Sequence, residues 1–100
     1  VAGWSLYVVR TRSGALYTGI TTDVARRIRE HAQGASRGAK SLRARGPLAL
    51  EYQVLIGHRA LAQSAERRMK RLPKRAKESI VAEMPGVERL LARLGVTPST

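Results

Sequence analysis

One hundred residues suffice for a single compact domain with one modest core and are too few for a second domain with its own. The absence of cysteine excludes disulfides, thiol catalysis and Cys-ligated zinc, and agrees with a reducing, cytoplasmic setting. With 19 Lys+Arg against 7 Asp+Glu the formal charge is +12, so the expected partner is a polyanion, nucleic acid ahead of an anionic membrane surface.

Trp4 to Arg10 alternates, with Trp4, Leu6 and Val8 on one side and Ser5, Tyr7 and Val9 on the other, as a short strand does. Ser13-Gly14 punctuates, and Ala15 to Thr21 is the returning strand. Asp23 is the N-cap of a helix to about Gln33, with Val24, Ala25, Ile28 and Ala32 as its apolar stripe. Gly34 ends it, and the small basic stretch Ser36 to Arg45 is a second short helix before Gly46-Pro47. Leu48 to Ile56 is a third strand whose weak alternation suggests burial on both faces. Arg59 to Leu72 is helical, buried along Leu61, Ala62, Ala65, Met69 and Leu72; Pro73 opens another helix to about Glu83. Met84-Pro85-Gly86 precedes a last helix, Val87 to Leu94, which packs on the domain or makes an oligomer contact through Leu90, Leu91 and Leu94. The pattern is an α+β domain, a small sheet covered by helices. No apolar run approaches a membrane span, and no secretory signal is visible.

The excess charge is concentrated in two segments. Thr22 to Gly46 carries seven basic residues against Asp23 and Glu30, and Arg59 to Lys77 carries eight against Glu66 alone. Arg10, Arg12, Arg89 and Arg93 are balanced by Glu51, Glu78, Glu83 and Glu88. Trp4, Tyr7, Tyr17 and Tyr52 are the only aromatics, too few to stack a run of single-stranded bases. At about 100° per residue, Arg27 and His31 lie together at the edge of the Val24/Ile28 stripe, while Arg26 points nearly opposite it. Glu66 sits at the border of the Leu61/Ala65/Met69 stripe, the one carboxylate among eight cations.

The order Ser5-Leu6-Tyr7, Tyr17-Thr18-Gly19, Arg27, His31, Glu66 resembles the GIY-YIG nuclease superfamily, closest to its small stand-alone bacterial members, over roughly Trp4 to Val81. The resemblance implies a three-stranded antiparallel sheet flanked by helices, with a GIY-YIG nuclease-like region over residues 1–83 and a C-terminal helix and tail, 84–100, in the same single domain. It implies a metal-dependent DNA endonuclease that hydrolyses phosphodiesters by water attack, with low sequence specificity and a place in DNA repair or processing. One Mg²⁺ or Mn²⁺ ion is expected on Glu66, a hard carboxylate for a hard cation. Tyr7 is assigned as the base, which calls for a downward pKa shift from nearby cations. Tyr17 positions water or phosphate, Arg27 offers its planar fork to the phosphate, and His31 shares the proton work or holds the scissile phosphate. Nucleic-acid contacts are assigned to Gly19, Thr21, Thr22, Arg37, Lys40, Arg43 and Lys70, and His58 is read as surface or an occasional phosphate contact.

The assignment makes a demand on the hairpin. A two-residue turn at Ser13-Gly14 would put the tyrosines on opposite faces. A three-residue loop Arg12-Ser13-Gly14, with Gly14 left-handed and a bulge, pairs Val9 with Tyr17 and Tyr7 with Gly19 and puts both rings on one face. Gly19 opposite Tyr7 would leave room for a backbone to approach a ligand.

This sequence has Ser5-Leu6 where the family pattern has Gly-Ile, has Thr21-Thr22 where some relatives carry lysine, and contains no Asn. Each residue also has a plainer reading. Tyr7 and Tyr17 could be cross-strand packing partners, Glu66 could pair with Lys70 one turn on, and His31 could be a surface histidine. The alternatives to an enzyme are a non-catalytic basic nucleic-acid-binding module of the same fold and a basic protein that docks on an acidic partner. DNA is the expected ligand, RNA a second candidate, with a targeting protein partner allowed, no membrane association, and a monomer or weak dimer.

Overall fold

The computed structural model describes residues 3–33 and 48–98. Its elements run β1 (Trp4–Arg10), β2 (Leu16–Thr21), α1 (Val24–Gln33), β3 (Ala49–Gly57), α2 (Arg59–Arg71), α3 (Lys74–Glu83) and α4 (Val87–Leu94). The three strands form one antiparallel sheet in the order β2-β1-β3. The helix expected over Ser36–Arg45 lies outside the described residues, as do Arg37, Lys40 and Arg43.

The hairpin takes the three-residue loop. Thr11 N–H donates to the Ala15 carbonyl at 2.8 Å, Gly14 N–H donates back to the Thr11 carbonyl at 2.9 Å, and Gly14 has φ +91°. Glycine suits that position because a Cβ disfavours positive φ. The resulting register pairs Val9 with Tyr17 and Tyr7 with Gly19.

β1, not β3, is the strand buried on both faces. Leu6, Tyr7, Val8 and Val9 are all sealed, because β1 is the central strand. β3 was expected to be buried on both sides; it is an edge strand instead, with Leu50 41% and Leu55 61% exposed. Two register irregularities in its pairing with β1, at Trp4/Ser5 and Val8/Val9, break its alternation.

The two faces of β1 differ. Leu6 and Val8 join a large cluster with Tyr52 and Ile56 of β3, Ala62, Ala65 and Met69 of α2, Ile80 and Val81 of α3, and Leu90, Leu91 and Leu94 of α4. Helix α4 therefore packs into the same core as the sheet. Each fully buried leucine contributes about 1.5–3 kcal/mol. The opposite face holds a smaller cluster of Tyr7, Val9 and Val24, with Tyr17, Ile28 and Leu48 against it.

Local chemistry places the helices. Asp23 Oδ1 accepts from Arg26 N–H at 3.0 Å and caps α1, as its position predicts. Ala25, expected in the α1 stripe, is exposed. His58 caps α2, its Nδ1 accepting from Leu61 N–H at 3.3 Å, a duty that its sequence position did not suggest. The Tyr52 hydroxyl donates to the Pro85 carbonyl at 2.6 Å and ties β3 to the α3–α4 connection; burial pushes this phenol up to about 12. Arg10 grips Glu78 with two hydrogen bonds, 2.7 and 2.8 Å, and reaches Glu51 at 3.5 Å, while Arg93 pairs with Glu83 at 2.9 Å. The balanced charges of the sequence thus include real partners. No helix among the described residues is long and apolar enough to cross a membrane.

Candidate active site

The hairpin register puts Tyr7 and Tyr17 on one face of the sheet, diagonal to each other across the β1/β2 pair. Gly19 stands directly opposite Tyr7. A Cβ there would lie 2.5 Å from Tyr7 Cζ, so glycine is required to seat the phenol. This corrects the expectation that Gly19 leaves room for a backbone to approach a ligand: the Tyr7 ring fills that room. Thr21 is likewise turned inward, its hydroxyl accepting from Asp23 N–H at 3.2 Å to shape the start of α1. Thr22 remains exposed.

Helix α1 crosses this face with Val24 in the small cluster and Ile28 packed against it, which fixes Arg27 and His31 over the tyrosines. His31 is 1% exposed, so it is not a surface histidine. Its Nε2 lies 3.1 Å from the Tyr7 hydroxyl, and its ring meets Tyr17 edge-on with centroids 6.1 Å apart. Arg27 is half-buried, lies close enough to the Tyr7 phenol to favour its ionised form, and donates to Glu30 Oε1 at 3.2 Å. Arg26 points to solvent, as the helical wheel requires.

Helix α2 supplies the acid from the side. It lies against β2 and β1, and Glu66 is 23% exposed at the border of its buried stripe. Glu66 is close enough to Tyr7 for its charge to act on the phenol. Lys70, one turn on, pairs with Glu66 at 3.4 Å and places its ammonium 5.8 Å from the centre of the Tyr17 ring. The plainer reading of Glu66, an ion pair with Lys70, is therefore present together with the clustering. An i,i+4 pair of this kind is worth about 0.3–0.5 kcal/mol and is easily displaced. Tyr7, Tyr17, Arg27, His31 and Glu66 form one connected group.

Burial governs the proton chemistry. It pushes the Tyr7 phenol above its ordinary 10.0, against the hydrogen bond and charge of Arg27 that pull it down. The downward shift expected of a base is thus absent from the protein alone. Burial, followed by the charge of Arg27, pushes His31 below its ordinary 6.5, so it is neutral near pH 7. Its buried Nδ1 has no partner among the described residues. A bare lone pair is less costly to bury than a bare N–H, so we assign the proton to Nε2, which donates to the Tyr7 oxygen.

The residues fit a divalent cation of a particular kind. Among the described residues no three His, Cys, Asp or Glu side chains cluster as a closed metal cage. Mg²⁺ does not need one, since it commonly takes one or two carboxylates and completes its shell with water and substrate phosphate. Glu66, half-buried beside the tyrosines, is the residue that would hold it.

Sequence reasoning missed Glu30, which holds Arg27, and the contact of Lys70 with Tyr17; the Arg27–Glu30 spacing of three was a visible signal for the first.

A family model described as the GIY-YIG catalytic domain matches residues 3–79. The chain is 54% identical over 91 residues to a UPF0213 protein of Citrobacter koseri, covering 91% of this chain and 89% of that one. It is 50% identical to the UPF0213 protein YhbQ of Escherichia coli O139:H28 over the same shares. The solution NMR structure of the UPF0213 protein BH0048 from Bacillus halodurans superposes with a TM-score of 0.54 at 36% identity, covering 95% of this chain and 99% of that chain. With that family model over residues 3–79 and relatives of this identity, the chain belongs to the GIY-YIG family of nuclease domains.

Proposed function

We propose that the protein is a metal-dependent endonuclease that hydrolyses DNA phosphodiester bonds by water attack. The observation that carries this reading is the grouping of Tyr7, Tyr17, Arg27 and His31 on one face of the hairpin, with Glu66 reaching them from the side. A bound Mg²⁺ or Mn²⁺ supplies Lewis-acid stabilisation of phosphate charge and of the departing oxygen. Arg27, always cationic, presents donors to phosphate oxygens whose negative charge grows as water adds. Tyr7, as the phenolate, takes the water proton; His31 Nε2–H, hydrogen-bonded to its oxygen, and the nearby Arg27 charge stabilise the phenolate against the cost of burial. Tyr17, partly exposed beside Lys70, orients the water or the phosphate. Thr22 and Lys70 contact the backbone around the cut. Low sequence selectivity follows from contacts that go to phosphates.

A second reading has one observation in its favour. Tyr7 is 1% exposed, as a packing residue would be, which fits a basic nucleic-acid-binding module that does not cut. Glu66→Ala separates the two. On plasmid, branched and single-stranded DNA with Mg²⁺, with Mn²⁺ and with chelator, the native chain should nick only with metal. The variant should bind as well or better, with one negative charge gone, and not cut. Metal-dependent cleavage that survives Glu66→Ala would remove the assignment; no cleavage by the native chain under any of these conditions would leave the binding module.

A further inference from the structure

A second concavity lies beyond the site, where the outer side of α2 meets the end of α4. Ser64, Arg67, Arg68 and Arg71 line it from α2, and the Gly95–Thr97 turn closes it. Its volume is about 250 Å³, several times the ~30 Å³ share of a liquid water molecule and ample for a phosphate with its solvent. Gly95 has φ +73°, a conformation that favours glycine, and Arg68 Nη1 lies against it, 3.4 Å from where a Cβ would stand. Arg67 Nη2 lies 3.5 Å from Ser64 Oγ, which turns a hydroxyl and a fork of donors toward the same space.

Three guanidiniums crowded in one hollow repel each other unless an anion joins them. Among the described residues no carboxylate pairs with them. Glu30 serves Arg26 and Arg27, Glu51 and Glu78 serve Arg10, Glu66 serves Lys70, and Glu83 serves Arg93. Asp23 caps α1, and Glu88 makes none of these pairs. Attraction to the negative end of α2 accounts for cations in its last turn, Arg68 and Arg71, but not for Arg67 and Ser64, a turn earlier in the same hollow.

We infer that this cleft is a phosphate-binding site for the backbone of a DNA strand whose scissile phosphate lies by Glu66. On α2 the side chains pass in order around the exposed surface from Glu66 and Lys70, through Arg67 and Arg71, to Ser64 and Arg68. A helix with its side chains is about 10–12 Å across. A strand crossing α2 therefore reaches from one site to the other within a few nucleotides. The turn that closes the cleft lies outside residues 3–79, so the C-terminal helix extends the nucleic-acid surface beyond the family domain. The position of the scissile phosphate rests on the nuclease reading; the cleft itself does not.

The test measures binding of fluorescein-labelled DNA to the whole chain by anisotropy, in chelator and over a salt series. Arg67→Ala/Arg71→Ala should weaken a 16-nucleotide strand roughly tenfold at about 0.1 M salt and make the salt slope shallower by about one to two. Arg12→Ala/Arg89→Ala removes the same charge elsewhere and should cost less than about twofold. Inorganic phosphate distinguishes a free anion site: if it binds the native chain and not the double variant while DNA binding is unmoved, the strand assignment falls. Unchanged affinity and slope for the 16-mer would overturn it as well. If the native chain cuts DNA but the double variant binds like it, the cleft fails alone. If nothing is cut but the double variant loses affinity, the nuclease reading fails and the cleft stands. Arg67 and Arg71 are exposed, so folding should survive; should the double variant melt early, single Arg67→Gln and Arg71→Gln changes carry the same comparison.

Discussion

The two faces of β1 carry different burdens. Leu6 and Val8 face a cluster drawn from β3, α2, α3 and α4, wholly apolar apart from the Tyr52 hydroxyl, which has its own acceptor. Tyr7 and Val9 face a cluster closed by α1, in which a phenol, an imidazole and a guanidinium are held together. A buried polar group is tolerated only when paired. Among the described residues, the buried side-chain polar atom of this face that lacks a hydrogen-bond partner is His31 Nδ1. One face is an apolar core and the other gathers the polar groups of the proposed site, a division that substitutions can break.

The largest effects belong to the chemical face. Glu66→Ala and Tyr7→Phe should each lower metal-dependent cleavage by about 10²- to 10⁴-fold in single-turnover assays, with the melting temperature nearly unchanged for Glu66. A Tyr7→Phe variant that cuts normally would show the phenol to be a packing residue. Leu90→Ala, on the other face, should cost about 2–5 kcal/mol in denaturant unfolding while leaving the turnover of the remaining folded molecules intact. Total activity should fall only by the fraction of molecules unfolded; a defect per folded molecule would mean that the faces are coupled.

Gly19→Ala probes where the faces meet the hairpin. The added methyl falls on the Tyr7 ring, so about 1–3 kcal/mol of stability should go, with loss of cleavage beyond that explained by unfolding. Wild-type behaviour would show that the ring moves aside freely. Asp23→Ala, which removes the cap of α1, should cost about 1 kcal/mol and should loosen Arg27 and His31 over the tyrosines, read as a modest fall in turnover.

The pH dependence is the mildest and the sharpest test. His31 is held below 6.5 in the fold, so as pH falls beneath 6.5 the unfolded chain takes up the proton first and stability declines. His31→Gln should flatten that decline. Tyr7 is held above 10.0, so its contribution is intact below pH 10 and is lost as the pH rises further. If Tyr7 acts as the base without a large shift on binding, cleavage should rise with pH through the neutral range, up to about tenfold per unit. A flat profile would point to a phenol whose pKa falls when metal and DNA arrive, or to a base other than Tyr7.

Much of this was legible in the residues. The three-residue hairpin loop follows from Gly14 together with the family-based site assignment, which needs both tyrosines on one face, because side chains alternate and a one-residue slip would reverse a whole strand. Asp23 marks the start of α1, and the 3.6-residue period separates Arg27 and His31 from Arg26. The apolar stripe of α2 leaves Glu66 at its edge. Local rules of this sort depend on neighbours in the chain, and the chain displays them directly.

Other features needed the packed molecule. That β1 rather than β3 is central depends on which strands pair, and LALEYQVLI is as apolar as a buried strand although it runs at an edge. The depth of His31, the seat of the Tyr7 ring over Gly19, and the upward push on its phenol arise from desolvation by residues distant in sequence. The same holds for the arginines of α2, which sequence shows as a run of charge and which become a cleft only when the Gly95 turn comes to rest beside them. Period and capping are properties of a segment; burial and dielectric belong to the assembled fold, because they are set by what every other segment excludes from water.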